Sequence, residues 1–86
     1  MARPRPFDFD PYIGQAYADA YDARYYVRGG FSGAYRIFRQ ERGKSTESYK
    51  QDGCTWRESY EEAQQELDGL ATKYNWQPVM QQASLF

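Results

Sequence analysis

The chain has 86 residues, 41% hydrophobic, 27% charged and 19% aromatic, and its formal net charge is −1. A chain of this length makes one small domain that removes only about 60% of its unfolded surface from water, which leaves no room for a second core. With no His and a single Cys, Cys54, a His-based catalytic triad, a tetrahedral His/Cys zinc site and an internal disulfide are excluded, and the near-neutral balance argues against a general nucleic-acid coat protein.

Residues 1–9 carry Pro4 and Pro6 without apolar periodicity, which predicts an extended, polyproline-biased arm. This start lacks the apolar run of a secretion signal. No stretch approaches the ~20 apolar residues of a membrane span, so a cytoplasmic protein is expected. Asp10 followed by Pro11 reads as a helix cap and first helical position. Ile13, Ala16, Tyr17 and Ala20 then share one side while Gln15, Asp19 and Asp22 take the other, a spacing that predicts a helix over 11–25 ended by Gly29 and Gly30. Tyr17, Tyr21 and Tyr25 recur at four-residue steps and are expected as a half-buried row on that helix.

Ala34 to Glu41 is rich in aromatic and β-branched residues and predicts a strand, with Tyr35 and Ile37 on one side and Arg36 and Phe38 on the other. A turn over 41–44, a polar strand over 45–50 and the Asp52–Gly53 hairpin signal lead to a third strand at Cys54 to Trp56. Ser59 and Glu62 form a capping box. Tyr60, Ala63, Leu67, Leu70, Ala71 and Tyr74 follow at three- and four-residue steps, giving one apolar stripe about 100° wide. Lys73, Asn75 and Pro78 mark the stop.

The expected architecture is therefore α+β: a two-layer α-β-β-β-α domain over residues 10–80, in which two helices pack on a three-stranded antiparallel meander. An arm over 1–9 and a tail over 81–86 flank it. Double-stranded RNA-binding domains share this order of elements. Their second helix meets phosphates with lysines, whereas here it carries Glu61, Glu62, Glu66 and Asp68, so the resemblance is topological only.

Basic residues concentrate between Arg24 and Lys50, and the last third is acidic. Arg36 and Arg39, interleaved with Tyr35 and Phe38, are candidates to stack on and neutralise a single-stranded nucleic acid, although a solvated strand face carries Arg equally well. Glu61, Glu62 and Glu66 are candidates to present carboxylates to a basic groove of a partner, although acidic solvated faces are common. Cys54 has no base partner in the sequence and reads as an inert buried thiol. The glycines at 29, 30 and 33 lack the G-K-[ST] ending of a phosphate loop. No catalytic residue, metal ligand or cofactor site is expected, so the chain reads as a binding protein and not an enzyme.

The chain ends Gln82-Ala83-Ser84-Leu85-Phe86. This pentapeptide resembles the motif by which bacterial replication and repair proteins bind the ring-shaped DNA polymerase sliding clamp: Gln, any residue, Ser or Asp, Leu, then Phe or another apolar residue. The resemblance implies that Gln82 hydrogen-bonds in a small polar subsite, Ser84 fills the small or acidic position, and Leu85 and Phe86 enter an apolar pocket. Ala83 departs from the common Leu and should weaken binding. A match at five fixed positions arises by chance on the order of once in ten thousand chains. The other possibility is that Leu85 and Phe86 fold back onto the small core of their own molecule.

Two protein-binding functions follow. One is an accessory or inhibitor that docks on the clamp through the pentapeptide. The alternative is a phage- or plasmid-encoded inhibitor of a host nucleic-acid-targeting defence complex, of the anti-CRISPR or anti-restriction type, that acts through a Tyr-rich, acidic surface.

Overall fold

Among the described residues, five short strands and one helix, in the order β-β-β-β-α-β, form an antiparallel sheet with a helix laid across one face. The computed structural model describes residues 14–30 and 32–79. The strands are β1 (Ala16–Ala18), β2 (Arg24–Gly29), β3 (Tyr35–Gln40), β4 (Glu47–Ser48) and β5 (Gln77–Val79), and α1 (Tyr60–Tyr74) lies between the last two. Sheet order is β4-β3-β2-β1-β5. The first four strands are a simple meander, and α1 carries the chain back across it so that β5 pairs with β1. Fifteen helical residues reach about 22 Å, close to the ~19 Å between the outer strands of a five-stranded sheet, so one helix suffices for the crossing.

The α+β class stands, and three expected details are corrected. Over the described part of 11–25 there is no helix: Ala16–Ala18 and the start of β2 are paired strands. Asp19 decides this. Its backbone N–H bonds to Ala23 O at 3.1 Å and its carbonyl accepts from Asp22 N at 3.0 Å. Its carboxylate accepts from Tyr21 N at 2.9 Å and Ala23 N at 3.0 Å. Asp22 sits at φ 68°, giving a turn followed by a left-handed residue, which suits the twist of a hairpin. The four-residue tyrosine spacing is realised across that hairpin: Tyr17 pairs with Tyr25, while Tyr21 lies at the turn, 89% exposed.

The second correction is that Cys54 to Trp56 is not a strand; only a single bridge forms there, between Tyr35 and Arg57. The Asp52–Gly53 turn itself is as expected, with φ of 59° and 74° and Cys54 N bonded to Gln51 O at 3.1 Å. It returns the chain into a loop under α1. The third correction is β5, which runs through Pro78. Among the described strands it is an outer one, with no described neighbour that needs an amide on its far side, so proline is tolerated there.

α1 follows its sequence signals closely. The Ser59 hydroxyl accepts from Glu62 N at 3.2 Å, and the Glu62 carboxylate accepts from Glu58 N at 3.2 Å. At the other end Asn75 takes φ 61°, and the amides of Asn75 and Trp76 both bond to Ala71 O, a left-handed cap that directs Trp76 back onto the sheet. From the buried stripe of Ala63, Leu67, Leu70 and Ala71, the first three join Ala23, Tyr25, Val27, Ile37, Tyr49 and Cys54 to make the core. Ile37 and Leu67 are its largest fully enclosed side chains. Among the described residues no helix is long and apolar enough to cross a membrane.

Candidate functional site

Alternation along the strands divides the sheet into two chemically different faces. Tyr17, Tyr25, Val27, Tyr35 and Ile37 point toward α1 and belong to or pack on the core. Their neighbours Tyr26, Arg28, Arg36, Phe38 and Gln40 point the other way. On this second face Ala16, Tyr26, Gln40 and Arg36 are buried, whereas Arg28 reaches solvent and Trp56 is 45% exposed.

Arg28 and Trp56, which are exposed, and the buried and half-buried side chains beside them form an alternating set of rings and guanidinium groups on the second face. Arg28 and Arg36 are directly opposite one another across β2 and β3, as are Tyr26 and Phe38. The Arg28 guanidinium lies 5.6 Å from the Phe38 ring centre, and that of Arg36 lies 5.2 Å from the ring of Trp56. Phe38 and Trp56 meet edge to face at 6.3 Å. Gly30 makes the position of Trp56 possible, because a β-carbon there would come within 2.6 Å of the indole. Arg36 donates to the carbonyls of Tyr49 at 3.2 Å and Cys54 at 3.4 Å, while its Nε is buried without a hydrogen-bond partner.

A second feature, at the C-terminal end of α1, is an open depression of about 500 Å³ lined by Tyr25, Tyr49, Tyr74, Trp76, Arg39 and residues of β4 and the segment after it. Trp76 stacks on Tyr25 at 3.8 Å with the rings 9° apart, and Tyr49 meets both edge-on. Several polar groups in and beside it are engaged with one another. The Tyr25 hydroxyl donates to Asp19 at 2.7 Å and accepts from Arg39 Nε at 3.1 Å. Asp52 accepts from Tyr49, Lys73 and Tyr74 at 2.9–3.1 Å. These bonds, above all that from Tyr74, hold the Asp52 carboxyl below its usual range, and burial pushes the Tyr25 and Tyr49 phenols up.

Asp22 and Glu41 are likewise held low, chiefly by Arg42 and by Lys44 respectively. A carboxyl whose folded pKa is depressed contributes stability that is present above its unfolded value, near pH 4, and lost as pH falls through the folded value. Stability measured by urea unfolding should therefore be level from pH 7 to 5 and decline below pH 4. Asp52→Asn should flatten that decline.

The residues singled out in the sequence fall in separate places. Gln82, Ser84, Leu85 and Phe86 lie outside the described residues. Glu61 and Glu62 are exposed in the first turn of α1. Glu66 is half-buried and pairs with Arg57 through bonds of 3.2 and 2.5 Å. Arg36 and Phe38 share the second face, but Tyr35 and Arg39 are on the face toward α1. Tyr35 packs edge-on against Tyr60 at 6.2 Å, and Arg39 is engaged by Glu41 at 2.7 Å and by Tyr25. The four therefore do not form one surface. Arg28 and Trp56 complete the open patch in their stead. Arg28 was hidden from sequence reasoning because it is placed by the β2–β3 register, and Trp56 because it is placed by a loop.

Cys54 is buried, and burial, with Glu66 adding to it, pushes its thiol up to about 11, where it stays protonated at neutral pH. Among the described residues no three His, Cys, Asp or Glu side chains gather in a way that would hold a metal ion. Compared with protein-family models, curated proteins and solved structures, the chain matches none.

Proposed function

We propose that this chain is a non-enzymatic binding protein that docks on the bacterial DNA polymerase sliding clamp through Gln82, Ser84, Leu85 and Phe86. The observation that carries the reading is the Q-A-S-L-F sequence itself, which begins three residues after Val79, the last residue of the outer strand β5. A motif tethered so close to a folded edge would be offered to a partner with the body alongside it.

Two large apolar side chains entering a pocket supply roughly 3–6 kcal/mol before ordering costs, so the contact is expected to be weak and exchangeable and to compete with other clamp ligands. Purified clamp should retain the full chain and release it to excess free motif peptide. A version ending at Gln81 should not be retained. Equal retention of both versions would refute the reading.

The alternative, inhibition of a host nucleic-acid-targeting defence complex, is favoured by one observation: Glu58, Glu61 and Glu62 stand exposed together around the start of α1. Under that reading, charge reversal at Glu61, Glu62 and Glu66 abolishes inhibition and removal of the pentapeptide does not.

A further inference from the structure

From the second face of the sheet we infer a binding site for single-stranded nucleic acid, in which Trp56 stacks on a base and Arg28 and Arg36 neutralise adjacent phosphates. The inference is independent of the pentapeptide and uses none of its residues.

The first argument is charge. Arg28 and Arg36 occupy directly opposed positions on neighbouring antiparallel strands, an arrangement that is unfavourable for like charges unless an anion lies between or over them. Among the described residues neither has a carboxylate partner. Arg24, Arg39, Arg42, Lys44, Arg57 and Lys73 each do. Arg36 is only 9% exposed, and its guanidinium is held by two carbonyls and an indole, which orient the charge without cancelling it. A buried cation without a counter-charge is costly, and an incoming anion would relieve that cost.

The second argument is shape and chemistry. Among the described residues, the large apolar side chains that are markedly exposed are Tyr21, Trp56 and Tyr74; Tyr21 is at a hairpin tip, and Tyr74 is committed to Asp52. Trp56 alone stands beside cations that lack carboxylates. It leans on Phe38 and Arg36 from below and is admitted by the bare backbone of Gly30, so the ring is supported in place. A ring fixed next to two guanidinium groups suits a polymer that alternates planar bases with phosphates. A duplex keeps its base faces stacked inside, so the single strand is the form that fits. The first turn of α1, packed on the other face of the sheet, carries Glu61 and Glu62, so the described charges differ in sign between the two faces.

The test is fluorescence anisotropy of the full chain with labelled 15-mers of thymidine and of uridine, repeated from low to moderate salt. Binding to at least one is expected, with a log–log salt slope of about −1.4 if two phosphates are neutralised. Arg28→Gln should reduce the slope by about 0.7, and Trp56→Ala should weaken binding by about tenfold. Gly30→Ala, which displaces the indole without removing it, should weaken binding as well. Circular dichroism establishes that each variant is folded, and Arg28, exposed and free of structural bonds to carboxylates, keeps the test decisive should a Trp56 variant unfold. The version ending at Gln81 should bind the 15-mers as the full chain does, whatever its behaviour toward the clamp. Absence of binding at low salt would overturn the inference. So would equal binding of a 15-base-pair duplex, displacement by polyglutamate with no effect of Trp56→Ala, or unchanged affinity in folded Arg28 and Trp56 variants.

Discussion

Leu67→Ala should lower the unfolding free energy by about 3 kcal/mol. Leu67 is fully enclosed at the middle of the only described helix, where it meets residues of β2 and β3. Truncation there removes the transfer energy of three carbons and leaves a void that neighbours held by the sheet ladder cannot fill. Domains of this size have roughly 4–13 kcal/mol of stability in total, so one side chain holds a large share. Urea unfolding followed by circular dichroism should show the midpoint falling with little change in slope. A loss under 1 kcal/mol would mean that α1 is not packed on the sheet as described.

Asp19→Ala is the second large effect, at about 2–3 kcal/mol. One carboxylate oxygen serves the amides of Tyr21 and Ala23, and the other serves the Tyr25 hydroxyl. Ala23 is fully buried and Tyr25 is 4% exposed, so donors abandoned there do not regain water in full. The β1–β2 hairpin also loses the group that shapes its turn. Because β1 is the one described strand that β5 pairs with, the damage should spread to the sheet edge, and hydrogen exchange at Tyr17 and Ala18 should accelerate more than exchange within β3. Asp19→Asn keeps an acceptor oxygen and should recover part of the loss. Equal stability of wild type and Asp19→Ala would contradict the turn.

These two residues also mark where the sequence was legible and where it was not. Leu67 belongs to a segment in which local signals agree: a capping box, a 3.6-residue stripe, and an asparagine followed by proline. Nothing in the tertiary structure opposes them. The β3 strand was readable for a similar reason, since aromatic and β-branched residues cluster there. Asp19 belongs to a segment where the signals conflict. Ala16, Tyr17 and Ala20 satisfy a helical spacing and equally satisfy a hairpin, and only Asp19 and Asp22, able to hold a turn through side-chain bonds and a left-handed backbone, separate the two. β5 was hidden because proline suggests a break; the strand's outer position, which makes proline harmless, is set by how α1 crosses the sheet.

The same distinction holds for the candidate sites. That Tyr35 and Ile37 face one way and Arg36 and Phe38 the other follows from strand alternation. That Arg28 stands opposite Arg36, and that the loop after Gly53 lays Trp56 over both Arg36 and Phe38, follows from register and loop path. A run of residues cannot reveal either. Arg39 shows the converse: in sequence it looks as available as Arg36, yet it is paired with Glu41 and bonded to Tyr25.

Clamp docking is tested most directly by recording amide spectra of isotope-labelled full chain while unlabelled sliding clamp is added. The proposal expects the signals of Gln82 to Phe86 to shift or broaden first, with those of α1 and the core retained and the effect reversed by free motif peptide. Signals that change first at Glu61 and Glu62, or a spectrum indifferent to the clamp at concentrations well above the micromolar range, would contradict it.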